Sequence, residues 1–265
     1  MLKRLWFSLL FKIGVVREPK WIFVVGCYNS GTTLLAHLIG KAPDICELST
    51  EGVALTKEYC GPESFGYNRL WYLCEDKLKF DRQLREPSPN KIKSDWIRSA
   101  GRGCSYIVEK SVVNSLHISW LHSRFNSPYF IWIVRNPYAV CEGIRRRTLG
   151  KERVGFEKGE PYPIRLCAEQ WVRSNEVIYK QVKNLSSLYV VRYEDLTADP
   201  ENIVRSILKK GEIPVQPFTV PSEFCFHGRR KKVTNLNKES IEKLSKEEID
   251  IIDEICGSWM VRFGY

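Results

Sequence analysis

The stretch from Trp21 to Gly40, WIFVVGCYNSGTTLLAHLIG, constrains the fold more than any other part of the chain. It opens with a run of apolar and β-branched residues, which is typical of a buried strand. The next six residues begin with Gly26 and end with Gly31, and glycine at both ends predicts a sharp turn of the backbone. Apolar residues then follow at helical spacing. The stretch therefore predicts a strand, a tight loop and a helix in succession.

This loop has the features of an anion site. Its glycines allow backbone N–H groups to converge, the helix start adds partial positive charge, and Thr32 and Thr33 add hydroxyl donors. Phosphate is the usual ligand of such a loop. The spacing is nearly that of the nucleotide-binding loop GxxxxGK[ST], but Thr32 stands where the lysine would be. We therefore expect a mononucleotide with its reactive group at the β-phosphate position, rather than a nucleoside triphosphate.

The rest of the chain predicts an α/β fold. Apolar runs at 106–108, 129–134 and 188–191 predict core strands, and helical patterns separate them. Strands that alternate with helices predict three layers, with a central parallel sheet between helices. We expect a single domain over residues 1–265. Within it, residues 61–104 and 145–163 lack clear periodicity, and we expect them to cover the site and choose the acceptor. Residues 224–237 predict a basic loop.

Composition limits the partners and the compartment. The formal net charge is +10, which favours anionic partners, but no nucleic-acid-binding motif is present and we expect no nucleic acid. Nine cysteines, an odd number with no C-x-x-C pair, predict reduced buried thiols in a cytoplasmic protein without zinc. Residues 1–16 are apolar and basic but too short to span a bilayer. They predict an amphipathic segment that packs on the domain or makes weak peripheral membrane contact.

Charged residues follow the predicted strands. Glu109-Lys110-Ser111 follows the second core strand and Arg135 follows the third. In an open parallel sheet the carboxyl ends of the strands form the ligand crevice. An arginine at a strand end beside a helix start suits a phosphate. Glu47 and Glu51 follow the first helix, and Glu51 is placed to face a reacting group.

Three segments form an ordered set: GCYNSGTTLL, IWIVRNPYAV and VVRYEDL. Together with AEQW and the ending CGSWMVRFGY, they resemble the sulfotransferases that use 3′-phosphoadenosine 5′-phosphosulfate (PAPS), and are most similar to the bacterial and carbohydrate/tyrosyl branch. The resemblance implies a P-loop NTPase-like fold. It also implies sulfuryl transfer from PAPS to a hydroxyl or amine of a small-molecule or glycan acceptor, with release of 3′-phosphoadenosine 5′-phosphate (PAP) and no metal.

The resemblance also implies roles for individual residues in binding the donor. The loop from Asn29 through Ser30, Gly31 and Thr32 to Thr33 would hold the 5′-phosphosulfate. Arg135 would bind the 3′-phosphate, and Tyr193 would touch the adenine. The turn Gly228-Arg229-Arg230 looks like the basic loop that closes over the 3′-phosphate in the family.

The chain departs from the family pattern at three positions. The loop residue before Ser30 is usually Lys or Arg in the family, and here it is Asn29. Gly143 stands where the family usually has a serine that binds the 3′-phosphate. Val112 stands where many relatives have a histidine. Lys110 is our candidate for the missing positive charge. Glu51 is the candidate base, by analogy with the catalytic glutamate of the carbohydrate/tyrosyl branch. That alignment needs a one-residue shift, so Glu47 stays an alternative.

Two other functions are compatible with the sequence. Asn29 and Gly143 allow a module that binds PAPS or PAP without turnover. The GxxxxGTT loop allows a P-loop kinase, although the absent lysine argues against it. The acceptor, the choice between O- and N-sulfation and the oligomeric state are not predicted.

Overall fold

A computed structural model of the chain describes residues 18–80, 86–101, 103–214, 218–226 and 229–265. Its centre is a parallel sheet of five strands in the order β2-β3-β1-β4-β5. The prediction of an α/β fold with a central parallel sheet is confirmed. The strands are β1 (Lys20–Gly26), β2 (Ile45–Glu47), β3 (Tyr106–Glu109), β4 (Tyr129–Val134) and β5 (Leu188–Arg192).

Both faces of the sheet are buried, which explains the continuous apolar run in β1. Trp21 and Phe23 belong to one hydrophobic core, whereas Ile22 and Val24 belong to the other. Successive side chains of a strand point to opposite faces, so a strand covered on both faces needs apolar residues at every position.

Helices supply the two covering layers. The described helices are α1 (Thr32–Ile39), α2 (Gly52–Leu55), α3 (Glu75–Leu78), α4 (Pro89–Ala100), α5 (Ile118–Arg124), α6 (Pro137–Thr148), α7 (Ile164–Val182), α8 (Tyr193–Ala198), α9 (Pro200–Lys210), α10 (Asn237–Ile241) and α11 (Lys246–Phe263). Helices α1 and α9 share the core of Ile22 and Val24, and α7 and α11 share the core of Trp21 and Phe23. Helix α11 begins with a capping box, in which Ser245 and Glu248 exchange side-chain-to-backbone hydrogen bonds.

Two regions differ from the sequence prediction. Helix α4 lies in the segment without clear periodicity, where buried Lys93 and Ser94 interrupt the apolar pattern. Lys93 is accommodated there because its Nζ pairs with the carboxylate of Glu18 at 2.8 Å. The predicted basic loop at 224–237 was wrong in part, because an antiparallel pair is formed by β6 (Glu223–Phe226) and β7 (Arg229–Lys232). Backbone pairing between short strands overrides the loop-like composition of this charge run.

The cysteine prediction was wrong for two residues. Cys46 and Cys104 form a disulfide, with Cα atoms 5.8 Å apart and a sequence separation of 58. The bridge forms because β2 pairs with β3, which brings Cys46 beside the turn that precedes β3. Cysteine spacing gives no sign of this pairing. Among the cysteines whose side chains the structure describes, six are free, and all of them except Cys60 are buried, as predicted.

Across the described part of the chain, every helix is too short or too polar to cross a bilayer. The predicted amphipathic segment at 1–16 lies outside the described residues.

Candidate functional site

The predicted strand, loop and helix are present, and steric contacts explain both glycines of the loop. A Cβ on Gly26 would lie 2.5 Å from the carbonyl oxygen of Ile133. A Cβ on Gly31 would lie 2.7 Å from the ring of Tyr193, and Gly31 also has a φ of 97°. Asn29 has a positive φ of 58°. The loop therefore turns sharply and brings the first residues of α1 to the wall of a cavity.

Several polar groups of the loop have room for a ligand. Ser30 Oγ and Asn29 Nδ2 are buried, and neither has a hydrogen-bond partner among the described residues. In the same part of the chain, α1 has no side-chain cap at its N-terminus. Buried polar groups and helix-start N–H groups are normally paired. The loop therefore fits a ligand that presents several acceptor oxygens, as a phosphate or sulfate group does.

The cavity is crowded with positive charge. Burial and then the neighbouring guanidinium groups of Arg69 and Arg146 lower the pKa of Arg147. Like charges held this close destabilise one another unless an anion lies between them. The charged side chains that line the cavity, among the described residues, are Arg69, Arg135, Arg146, Arg147, Lys232 and the single carboxylate Glu51. The excess of cations favours an anionic ligand in this cavity.

Arg135 reaches the same cavity as Thr32, as the sequence predicts. Its Nη1 donates to the backbone oxygen of Asn29 at 2.9 Å, and its guanidinium lies 4.1 Å from the ring centroid of Tyr193. Trp171 Nε1 donates to the backbone oxygen of Arg135 at 3.0 Å. Burial lowers the pKa of Arg135. The side chain is thus held rigidly between the loop and Tyr193.

A chain of polar side chains orients Arg135 from behind. Arg135 Nε donates to Asn237 Oδ1 at 2.8 Å, and Asn237 Nδ2 donates to Glu194 Oε1 at 2.6 Å. Tyr265 donates from its hydroxyl to Glu194 Oε2 at 2.8 Å. The sequence prediction includes neither Asn237 nor Glu194 as a functional residue. They come from different helices and converge only in the fold.

Tyr193 is buried and lies between the loop and the C-terminal part of the chain. Its hydroxyl donates to the backbone oxygen of Thr234 at 3.0 Å. Burial raises the pKa of Tyr193, and the nearby Arg135 opposes that shift. The ring forms part of the cavity wall, which is the position predicted for an adenine contact.

Glu51 and Lys110 lie together at the carboxyl edge of the sheet. Lys110 Nζ is 3.9 Å from Glu51 Oε1. Burial raises the pKa of Glu51, and Lys110 partly offsets that increase. A carboxylate with a raised pKa is a better proton acceptor, which suits the predicted base.

Glu47, the alternative base, has a different environment. Its Oε2 is 3.1 Å from Nδ1 of His37. Both glutamates line a second cavity of about 720 Å³, but Glu51 also lines the cation-rich cavity. Glu51 therefore lines both cavities, whereas Glu47 lines the second cavity and not the cation-rich one.

The buried carboxylate of Glu109 fixes this edge of the sheet. Its Oε1 accepts from the backbone N–H of Gly52 at 2.8 Å and from that of Ser111 at 2.7 Å. Its carboxylate also accepts from the Ser111 hydroxyl and from the Asn114 amide. Burial raises the pKa of Glu109, against the effect of these donors. Glu109 thus links Gly52, which follows Glu51, to Ser111, which follows Lys110.

The predicted Gly228-Arg229-Arg230 turn is only partly described. The backbone of Arg229 and Arg230 lies in β7, whereas their side chains and Gly228 lie outside what the structure describes. Lys232, at the end of the same strand, lines the cation-rich cavity. The predicted role of Arg229 and Arg230 therefore stays a prediction.

These features define a class of protein: a P-loop-like α/β fold whose glycine-bounded loop lies at the edge of the sheet and suits an anion. The family model described as the sulfotransferase family matches residues 19–217. The chain therefore belongs to the sulfotransferase family.

Individual relatives are distant. Protein-tyrosine sulfotransferase of Drosophila melanogaster is 24% identical over 75% of this chain and 39% of its own length. Nodulation protein NoeE of Sinorhizobium fredii is 27% identical over 93% of this chain and 66% of its own length. The chain thus spans between about two fifths and two thirds of these relatives.

Solved structures show the same fold. Sulfotransferase STF1 from Mycobacterium tuberculosis H37Rv superimposes with a TM-score of 0.58 at 15% identity, covering 95% of this chain and 80% of STF1. Mouse sulfotransferase SULT7A1, in complex with PAP, superimposes with a TM-score of 0.50 at 13% identity, covering 96% of this chain and 89% of that one.

Proposed function

We propose that the chain transfers a sulfuryl group from PAPS to a hydroxyl or amine of a small-molecule or glycan acceptor and releases PAP. One observation carries the proposal: in a member of the sulfotransferase family, Arg135 and the start of α1 line one cation-rich cavity. A donor with two anionic ends needs both. The PAP complex of the similarly folded mouse SULT7A1 supports the choice of donor.

The donor would bind across the loop and the end of β4. The backbone and hydroxyls from Ser30 through Gly31 to Thr33 would hold the 5′-phosphosulfate. Arg135 would pair with the 3′-phosphate, because a rigid guanidinium suits a phosphate dianion. Tyr193 would contact the adenine, and Arg229 and Arg230 would close over the 3′-phosphate. We expect no metal in this reaction, because fixed cations surround the site.

The chemistry is an in-line transfer. The acceptor oxygen or nitrogen forms a bond to sulfur while the bond from sulfur to the bridging oxygen of the donor breaks. The electron pair of the broken bond stays on that oxygen, which becomes a 5′-phosphate oxygen of PAP. The acceptor proton passes to the Glu51 carboxylate and then to solvent. Lys110 is a candidate to stabilise the charge that develops on the transferred group.

The acceptor would enter through the second cavity. Its walls mix carboxylates with cations and hydroxyls, including Glu63, Ser49 and Thr50 beside Glu51 and Lys110. A polar lining suits a hydroxyl-rich acceptor such as a glycan. The Drosophila relative is named for tyrosine, so a phenolic hydroxyl is the second acceptor chemistry to test.

Transfer of radiolabelled sulfate tests the proposal directly. With [35S]PAPS and a panel of sugars, phenols and amines, we expect label on at least one acceptor. We expect the Arg135→Ala variant to lose at least about 100-fold in kcat/KM. A wild-type protein that binds PAP but transfers no label to any acceptor would support the alternative of a binding module, which Asn29 and Gly143 favour.

Location is a separate part of the proposal. The prediction of a cytoplasmic protein rests on reduced thiols, and the Cys46–Cys104 bridge removes that basis for two cysteines. Disulfides persist mainly in oxidising compartments. The location therefore stays a prediction, and alkylation of Cys46 and Cys104 in freshly lysed cells measures their redox state directly.

A further inference from the structure

A cation from another segment lies beside Asn29, the loop position at which the family usually has a charge. Arg69 Nη1 lies 3.4 Å from Asn29 Oδ1, and its guanidinium carbon lies 5.5 Å from the ring centroid of Tyr28. Arg69 lines the cation-rich cavity together with Gly31 and Thr32. A cation from residues 61–80 thus reaches the loop beside the residue that departs from the family pattern.

Two of the three departures touch each other. A Cβ on Gly143 would lie 3.2 Å from Asn29 Cβ and 3.1 Å from Asn29 Cγ. Contacts this short are tight, so a serine at 143 would require the Asn29 side chain to shift by a few tenths of an ångström. Gly143 therefore lets the Asn29 side chain pack against α6, and in this position Asn29 Oδ1 accepts from Arg69. Asn29, Gly143 and Arg69 form one structural unit.

The backbone holds Arg69 in place at a conformational cost. Arg69 has a φ of 61°, in the left-handed region that residues other than glycine seldom adopt. Leu70 and Trp71, which follow it, are fully buried. Their burial keeps the turn in this conformation, and strain of this kind is often found at functional sites.

The segment at 149–163 fastens the same turn from the other side. Asn68 Nδ2 donates to the backbone oxygen of Glu152 at 3.1 Å, and the Tyr162 hydroxyl donates to the backbone oxygen of Asn68 at 3.2 Å. The backbone N–H of Val154 donates to the oxygen of Gly66 at 3.1 Å. The two segments without clear periodicity therefore meet, and together they position Arg69.

Lys110 is placed differently. It lies beside Glu51 and lines the second cavity, whereas Arg69 lines both cavities. A cation that neutralises the leaving group must reach the loop that binds the donor. Arg69 satisfies this condition in the described structure, and Lys110 lies on the acceptor side.

Resting on the function proposed above, we propose that Arg69 is the catalytic cation for the leaving group. Its guanidinium pairs with the bridging oxygen of PAPS and with the 5′-phosphate to which that oxygen belongs. As the sulfur–oxygen bond breaks and the electron pair moves onto the bridging oxygen, Arg69 neutralises the negative charge that develops there. Asn29 positions Arg69, and Lys110 acts on the acceptor side with Glu51.

Binding of two nucleotides tests the contact without requiring an acceptor. PAP carries the 5′-phosphate and 3′-AMP lacks it. By calorimetry, we expect Arg69→Ala to weaken PAP binding about tenfold or more, and 3′-AMP binding by less than about twofold. Lys77→Ala, a cation of the same segment outside both cavities, is the matched control and should change neither affinity.

A charge restored in the loop provides the second test. In the Arg69→Ala background, Asn29→Lys returns the cation to the usual family position, so PAP affinity should recover to within about threefold of wild type. Arg69→Lys keeps a charge and should lie between wild type and Arg69→Ala. Thermal unfolding of each variant without ligand checks that the fold is retained.

Turnover tests the catalytic part, with PAP and 4-nitrophenyl sulfate as the probe for the reverse transfer to PAP. We expect kcat of Arg69→Ala to fall by about 100-fold or more. Unchanged PAP affinity, equal losses with PAP and 3′-AMP, a double variant no tighter than Arg69→Ala, or an unchanged kcat would each overturn the role of Arg69. The proposed function itself fails in a different way, if the wild-type protein binds no PAP and transfers no sulfuryl group.

Discussion

Glu51 is one of the residues that line both the cation-rich cavity and the second cavity. Burial raises its pKa, so a larger fraction of Glu51 is protonated at mildly acidic pH than for an exposed glutamate. A base must be ionised to accept a proton. Its activity is therefore lost as the pH falls through the raised pKa, and is retained above it.

The pH dependence of kcat follows from this environment. We expect the acid limb of the wild-type pH profile of kcat to lie above the ordinary glutamate pKa. Lys110→Met should move that limb to still higher pH, because Lys110 lowers the pKa of Glu51. We expect Glu51→Gln to lose about 100-fold or more in kcat and to remove the limb. Steady-state rates between about pH 4 and 9 measure both effects.

Glu47→Gln is the matched control, since Glu47 lines the second cavity and pairs with His37. It should keep the wild-type acid limb. If Glu47→Gln removes the limb and Glu51→Gln keeps it, the base is Glu47 and the assignment is wrong.

At the scale of elements, the end of β3 holds the two catalytic candidates in position. The Glu109 carboxylate accepts from the start of α2, which follows Glu51, and from Ser111, which follows Lys110. Trp96 of α4 donates from Nε1 to the backbone oxygen of Gly52 at 2.8 Å. We therefore expect Glu109 to act as a positioning residue, through these neighbours rather than on the acceptor itself.

Replacing Glu109 by Gln separates positioning from donor binding. The amide nitrogen would face backbone donors, so we expect a loss of about 1–3 kcal/mol in unfolding free energy. We also expect kcat to fall about tenfold or more while PAP affinity changes less than about twofold, because the donor loop lies on another strand. Urea unfolding, steady-state kinetics and calorimetry provide the three readouts.

Glu58→Gln is the control for a structural effect alone. Glu58 also accepts from a backbone N–H, that of Ser88 at 2.9 Å, but it lines neither cavity. It should lose stability and keep kcat. A Glu109→Gln variant that keeps the wild-type kcat would show that the end of β3 does not position the site.

Sequence predicted the elements that repeat a simple pattern. The run from Trp21 to Val25 and the run from Tyr129 to Val134 are apolar at every position, because both faces of the sheet are covered. Helix α4 was missed because the buried Lys93 and Ser94 hide its apolar face. The β6–β7 pair was missed because its charge run resembles a solvated loop.

In the site, too, some residues could be predicted from sequence patterns and others could not. Glycine spacing and strand ends predicted the loop, Arg135, Glu51 and Lys110, which all lie at one edge of the sheet. The positions of Arg69, Glu109 and Asn237 in the site depend on tertiary contacts between distant segments. No periodicity or spacing marks them, so only the fold brings them to the cavities.

At the scale of the whole molecule, the Cys46–Cys104 bridge ties the edge of the sheet to a turn 58 residues away in sequence. Cys46 lies in β2, which ends at Glu47, and Cys104 lies just before β3, which ends at Glu109. A bridge over a loop of this length restricts the unfolded chain and stabilises the fold by about 4 kcal/mol in the chain-entropy description.

Removing the bridge should therefore lower stability without removing the site. We expect Cys46→Ser and Cys104→Ser, alone or together, to lower Tm by roughly 5–15 °C under non-reducing conditions. Dithiothreitol should lower the wild-type Tm to a similar value. Cys60→Ser, which replaces a free cysteine, is the control. Equal Tm values for wild type, Cys60→Ser and Cys46→Ser would mean that the bridge does not form.

A crystal structure of the PAP complex tests most directly where a nucleotide with two anionic ends lies in the molecule. We expect the 5′-phosphate against the backbone of Gly31, Thr32 and Thr33, and the 3′-phosphate against the Arg135 guanidinium. PAP bound in the reverse orientation, or outside the cavity that these residues line, would contradict the account.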